Sequence, residues 1–306
     1  MLDIDTFLTV LYVTTDDFCI EHLPAEPIQP GPAPSLTRSQ VITLTLFGQW
    51  ARFRSERDFW RFAKQKLNHL FLNLPDGSQF NRLQRQYQEA ILALSHHLVK
   101  VLDGQNCPFE VIDRSGVATR WCGRRGVGWM PELTDKGYCS RLGYFEGFHL
   151  LIGVNPEGII TGFAVGAASA KDQPIAEAFF LARHQSLVSA PCVGPACRSG
   201  DYVTDKGFNG KMRHQNWLSS FGVRIIHSER GCTRMWRRWL AGLRQIIETV
   251  NNCLLNVFRL DNERPHELRG FFSRLSAKVA LHNFCIWLNR SLGRPSLQFA
   301  DLLGWE

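Results

Sequence analysis

Long apolar runs are missing from this 306-residue chain. Nothing approaches the roughly 20 residues that cross a bilayer, so no membrane span is expected. The first residues, Met1-Leu2-Asp3-Ile4-Asp5, lack the basic stretch and cleavage site of a secretory leader. The nine cysteines include no CxxC pair, which points to neither a disulfide framework nor a zinc finger. Cys192 and Cys197 flank Val-Gly-Pro-Ala, yet two ligands without two more make a poor metal site. A reducing, cytoplasmic setting is therefore expected. A glycine-rich phosphate loop is also absent, which counts against a small-molecule nucleotide enzyme.

Positive charge is what the chain has in excess. The formal net charge is +7 and the isoelectric point about 9.0. From Lys206 onward, 16 Lys/Arg face 7 Asp/Glu. A basic half implies a polyanionic partner, most simply nucleic acid. With 44% hydrophobic residues, the chain is otherwise ordinary for a globular protein.

The first third reads as helical. Phe7, Leu8, Leu11 and Phe18 supply the apolar positions of a helix from Asp3 to about Leu23. Five prolines between Leu23 and Pro34 then exclude helix and sheet, which predicts an extended connector over 23–36. Thr37-Arg38-Ser39-Gln40 has capping-box form and opens a helix through Trp50. Ser55 starts the next, and after Pro75-Asp76-Gly77 one helix is expected from about Ser78 to Leu102. Residues 1–104 thus make an expected all-helical domain. Its solvent faces carry Arg52, Arg54, Arg57, Arg61, Lys64, Lys66, Arg82 and Arg85. Such a unit either grips DNA in helix-turn-helix fashion or simply presents a solvated charged surface.

The texture changes at Cys107, where residues 105–306 are expected to form a second domain. Pro108 to Asp113 reads as a strand ending at the aspartate. Phe145–Val154 and Gly158–Val165 read as a hairpin around Asn155-Pro156-Glu157-Gly158. Then come a helix from Asp172 to about Ser189, a strand at Tyr202–Thr204, a helix from Asn209 and a strand at Gly222–His227. A long helix from about Trp236 to Phe258 and a last one from Glu267 to Ser291 close the chain. Three antiparallel strands followed by two that alternate with helices describe a ribonuclease H-like α/β fold. Its mixed sheet would have five strands flanked by helices on both faces.

Three carboxylates stand out on this scheme. Asp113 ends the first strand in apolar surroundings, and an isolated buried charge is costly. Asp205 follows the fourth strand in Tyr202-Val203-Thr204-Asp205-Lys206-Gly207, where α/β sheets place ligands, although strand-end aspartates also cap helices. Glu248 lies on the long helix beside an apolar stripe of Leu243, Ile247, Val250 and Leu254. Its spacing equally suits a plain i, i+4 ion pair with Arg244. Parallel neighbouring strands would end with Asp113 beside Asp205, and the long helix would bring Glu248 across them. Three carboxylates without His or Cys suit hard cations such as Mg²⁺ or Mn²⁺. Two such ions, about 3.5–4 Å apart, would serve an in-line phosphoryl transfer. A near-copy, Thr134-Asp135-Lys136-Gly137, follows a proline-containing stretch and is expected in a loop, so Asp205 is preferred to Asp135.

These blocks resemble those of DDE-type bacterial insertion-sequence transposases, in the branch with a ribonuclease H-like core. Ile112-Asp113 resembles the first catalytic block, Asp205-Lys206-Gly207-Phe208 the second, and Arg244-Gln245-Ile246-Ile247-Glu248 the third. Gly147-Phe148-His149 through Lys171-Asp172 and Ala280-Leu281-His282-Asn283-Phe284-Cys285 resemble the segments between and after. The resemblance implies Asp113, Asp205 and Glu248 as a triad for two Mg²⁺ or Mn²⁺ ions. It also implies contacts to double-stranded DNA through Lys206, Arg234, Arg237, Arg238 and Arg244. Such enzymes bind terminal inverted repeats, cleave DNA and transfer a 3′-hydroxyl to a target, usually as dimers or larger assemblies at the bacterial nucleoid. Three positions depart from the pattern. Arg114-Ser115-Gly116 stands where small and proline residues follow the first aspartate, Lys171 replaces a common His, and Leu255 and Asn256 replace a lysine beyond the glutamate. An inactive or domesticated DNA-binding relative, or a nuclease on the same fold, are the competing readings.

Overall fold

The computed structural model describes residues 1–27, 31, 34–121, 123, 129–184, 196–228 and 231–305. Cys192, the end of the helix expected to reach Ser189, and parts of the proline connector lie outside the described residues.

Helices α1 (Ile4–His22), α2 (Arg38–Phe47), α3 (Glu56–Lys66), α4 (Gly77–Gln86) and α5 (Gln88–Val101) make up the front of the chain. Capping chemistry sets several of their starts. Asp3 accepts from the Thr6 amide, Ser55 from that of Asp58, and Thr37 and Gln40 complete a reciprocal capping box. The single helix expected over 78–102 is in fact two. They meet at Tyr87, whose amide closes the end of α4 on Leu83 and whose hydroxyl donates to Glu26 at 2.6 Å. No proline or glycine marks this break, so the apolar periodicity runs straight through it.

One sheet carries six strands, β1 (Glu110–Trp121), β2 (Asp135–Cys139), β3 (Gly143–Val154), β4 (Ile160–Ala167), β5 (Asp201–Val203) and β6 (Arg224–Ile226). The path is β2-β3-β1-β5-β6, with β4 also paired to β3. The first three expected strands pair antiparallel, and β1, β5 and β6 run parallel. The sixth strand is β2, which holds Asp135 in place of the expected loop. It pairs with the first half of β3 and leaves β4 the second half, a division that the length of β3 permits. Asp113 likewise lies inside β1 rather than at its end, because β1 continues along β3 to Trp121.

Helices α6 (Asp172–His184) and α7 (Lys211–Phe221) cover one face of the sheet, with Ile112, Leu151, Tyr202, Phe179, Phe180 and Trp217 in a common core. Alternate strand residues, Val111, Leu150, Ile152 and Val203, enter the larger core on the other face. That core takes in α1–α5, α8 (Arg234–Asn252, running into a π-helical turn at Cys253–Val257) and α9 (Leu268–Ser291). α9 is buried nearly all round and packs most closely on α5. Its Asn283 bonds both the amide and the carbonyl of Ile160 (3.1 and 2.9 Å), and His282 meets the Gly158 carbonyl at 3.0 Å. The Leu281-His282-Asn283 block is therefore structural, a clamp on the β3–β4 turn.

A buried charge network joins the front helices to the rear of the chain. Glu263 accepts from Lys278 (2.5 Å) and Arg274 (2.7 Å); Lys278 also donates to Gln49 and Arg274 to Glu56. Burial alone would raise the Glu263 carboxyl, but these two cations and their hydrogen bonds hold it down at about 2.

Candidate active site

Two rungs, Glu110↔Tyr202 and Val111↔Val203, join β1 to β5. Two residues further along each chain stand Asp113 and Asp205. Alternation along β1 gives Asp113 the parity of Val111, toward the face covered by α8, while Asp205 follows the end of β5. Asp205 is fixed by its own turn, since the Gly207 amide donates to Oδ1 at 2.8 Å. Asp113 is held in β1 by the ladder to β3, opposite Ile152.

The electrostatics are those of close neighbours. Burial pushes the Asp113 carboxyl up to about 6; the charges of Asp205 and Asp172 add to the rise, and the Arg114 amide and the Arg244 charge oppose it. Asp172, at the start of α6, is also raised, first by burial and then by Asp205, against the pull of Arg114. Arg114 points to the opposite face from Asp113, as its adjacent position in a strand requires. There it pairs with Asp172 and donates to the Ala170 carbonyl at 2.8 Å. The arginine that departs from the family pattern thus spends its charge on Asp172.

Gly207 is the close-approach residue of the site. A methyl group there would lie 2.2 Å from Asp172 Oδ2 and 3.0 Å from Asp205 Oδ1. Gly207→Ala is expected to displace both carboxylates and to lower the melting temperature by roughly 2–4 °C, since the added methyl overlaps Asp172. Thermal unfolding followed by circular dichroism checks this; an unchanged melting temperature would mean the turn yields freely.

Glu248 is less closely engaged. α8 packs against β1 through a buried stripe that includes Leu240, Ile247 and Val250. Arg244, half-buried on that helix, lends its charge to Asp113, and Glu248 is exposed one turn later on the same side. Among the described residues, the one His/Cys/Asp/Glu trio with ligand atoms all within 4.8 Å is Cys107, Glu110 and Cys197, at the other end of the strands. The carboxylates of Asp113, Asp205 and Glu248 are not gathered so tightly. By donor chemistry the site nonetheless fits a hard divalent cation, because its ligands are oxygens and like charges crowd a half-buried position.

Arg234, Arg237 and Arg238 lie exposed in the first turns of α8, beside the stacked and exposed rings of Trp236 and Trp239. Lys206 begins a 3₁₀ turn, and its side chain lies outside the described residues. Asp135, the near-copy, accepts from Ser169 Oγ at 2.6 Å at the far edge of the sheet.

Sequence reasoning missed Asp172 as a third aspartate of the cluster, and it missed the groove beside it. That groove, of about 690 Å³, is lined by Arg114, Lys136, Tyr138, Tyr144, Lys171 and Gly207 among others. The repeated Asp-Lys-Gly at 135–137 was a signal for it, because β2 presents Lys136 and Tyr138 at its rim. No helix among the described residues is long and apolar enough to cross a membrane.

No curated protein matches the chain. The family described as the Transposase DDE domain matches residues 111–284, more than half of the chain and a span within which Asp113, Asp205 and Glu248 fall. On that match, with a mixed α/β sheet of ribonuclease H-like form beneath it, the chain belongs to the DDE transposase family.

Proposed function

We propose that the chain is an active transposase that binds the terminal inverted repeats of an insertion sequence, cleaves DNA at the element ends and transfers the 3′-hydroxyl to a target. The observation that supports this reading is the mouth between β1 and β5, where the Asp113 carboxyl feels the negative charge of Asp205 and the opposing positive charge of Arg244 on α8. Asp113, Asp205 and Glu248 would hold two Mg²⁺ or Mn²⁺ ions. When bound, such ions lower the pKa of the attacking water or 3′-hydroxyl and neutralise the departing oxygen. Arg244 offers its guanidinium to a non-bridging phosphate oxygen beside the reacting bond. Asp172 holds Arg114 aside, and its neighbour Gln173 donates to the Gly207 carbonyl at 2.8 Å, tying α6 to the turn that fixes Asp205.

Residues 1–104 act as the unit that recognises the repeat, and 105–306 as the catalytic unit, in an assembly of at least two chains on DNA. The exposed arginines at the start of α8 and Lys206 hold the phosphate backbone near the mouth. Replacing Arg237 and Arg238 together by Ala is expected to weaken duplex binding at every sequence. The slope of log affinity against log salt should fall by about 2, one for each phosphate that a guanidinium no longer neutralises. An unchanged slope would remove both residues from the DNA surface. A protein that binds element ends but cleaves in neither Mg²⁺ nor Mn²⁺ would instead be an inactive relative.

A further inference from the structure

A second cluster of reactive side chains lies at the opposite end of the same two strands, and the DNA chemistry does not use it. Cys107 stands three residues before β1, and Cys197 four residues before β5. Their sulfurs are 3.1 Å apart, and Cys197 also meets the Cys107 carbonyl (2.9 Å) and Ser199 Oγ (3.1 Å). The backbones are tied as well, by a hydrogen bond from the Arg198 amide to the Gln105 carbonyl. Cys107 is partly exposed, and Cys197 is buried behind it.

Two chemistries suit two thiols so placed, and the geometry separates them. A metal site would need Glu110 as its third ligand, but both Glu110 oxygens are taken by Arg183 (2.7 and 3.0 Å), in a pair with no solvent exposure. Two thiolates on one tetrahedral zinc ion would also sit about 3.8 Å apart, given Zn–S bonds near 2.3 Å. A disulfide bond of about 2.05 Å requires the sulfurs to close by only about 1 Å.

We propose that Cys107 and Cys197 are an oxidative modification site, a dithiol that peroxide converts to a disulfide joining the roots of β1 and β5. The hydrogen bond from Cys107 holds the Cys197 thiol down at about 6, so one thiolate is shared by the pair at neutral pH. As the Cys107 proton passes along this hydrogen bond to the Cys197 thiolate, the more accessible Cys107 sulfur attacks one peroxide oxygen; the O–O bond breaks and hydroxide leaves, giving a sulfenic acid on Cys107. That hydroxide takes the proton from Cys197, whose sulfur then attacks Cys107; the S–S bond forms, the S–O bond breaks and a second hydroxide leaves. Counted as neutral species, two thiols lose two electrons and two protons, and one peroxide becomes two waters.

The test is peptide mapping of the full-length chain, reduced, freed of reductant, exposed to hydrogen peroxide and then alkylated. A linked peptide pair containing Cys107 and Cys197 is expected, reversible by dithiothreitol. The melting temperature should rise by several degrees on oxidation, because the bridge closes a long loop. Cys107→Ser should abolish both the linked pair and the rise. The mapping of the unsubstituted chain stands whether or not that variant folds. Stable sulfinic acid at Cys107, a bridge from either cysteine to Cys192 alone, or one zinc ion per chain protecting both thiols from alkylation would each overturn the proposal.

Discussion

Asp205→Asn is expected to abolish Mg²⁺-dependent cleavage of element-end DNA, by roughly 10³-fold or more, while duplex binding persists. The magnitude follows from losing several kcal/mol of charge stabilisation at about 1.4 kcal/mol per tenfold. Asn keeps the oxygen that accepts from the Gly207 amide, so the turn should survive the exchange. What disappears is a negative charge two residues beyond the last β1–β5 rung, beside Asp113. DNA affinity should hold or rise slightly, because the removed charge repels phosphate. Asp135→Asn is the matched control, at the far edge of the sheet and bonded to Ser169. Cleavage by the Asp205 variant within tenfold of the parent, or its loss in the Asp135 variant, would overturn the assignment of roles.

The largest stability effect should come from Glu263→Ala. The change leaves Lys278 and Arg274 buried without the carboxylate they share, and breaking a buried ion pair from one side costs about 3–5 kcal/mol. A denaturant titration at neutral pH measures this directly. The pH dependence offers an independent sign. The Glu263 carboxyl sits at about 2 in the folded chain against an ordinary 4.5. Its stabilisation is therefore complete above about 4.5 and is lost as pH falls from there through about 2. The parent should show that acid limb, and the Ala variant should lack the share due to Glu263. A loss below 1 kcal/mol at neutral pH would mean that water or a rearranged Gln49 satisfies the two cations.

Much of the fold and of the site is legible in the sequence because it rests on local chemistry. The capping box at Thr37, the Ser55 cap and the β3–β4 turn at Asn155 announce themselves through residues a few positions apart. The nearness of Asp113 to Asp205 is legible too, as parallel neighbours place equivalent residues side by side, although β1 runs on past Asp113 to Trp121. What is not legible depends on partners far along the chain. β2 forms because β3 is long enough to pair with two strands in succession, and nothing near Asp135 declares that. Asp172 looks like a helix-start residue, and only the closeness of Gly207 and Arg114 reveals it as part of the cluster. The break at Tyr87 is unmarked in its own neighbourhood as well, and the hydroxyl of that tyrosine bonds Glu26 across the fold. The Lys278 ammonium is fully buried on a helix whose sequence gives no sign of its distant partners.

The two-rung join between β1 and β5 makes the aspartate pair behave like the tips of tweezers. The gap at the tips would respond to side chains near the pivot, such as Tyr202 and Arg183, which are buried away from the mouth. Variation there would tune the spacing of the carboxylates at a distance, and a comparison of relatives restricted to residues lining the mouth would not see it.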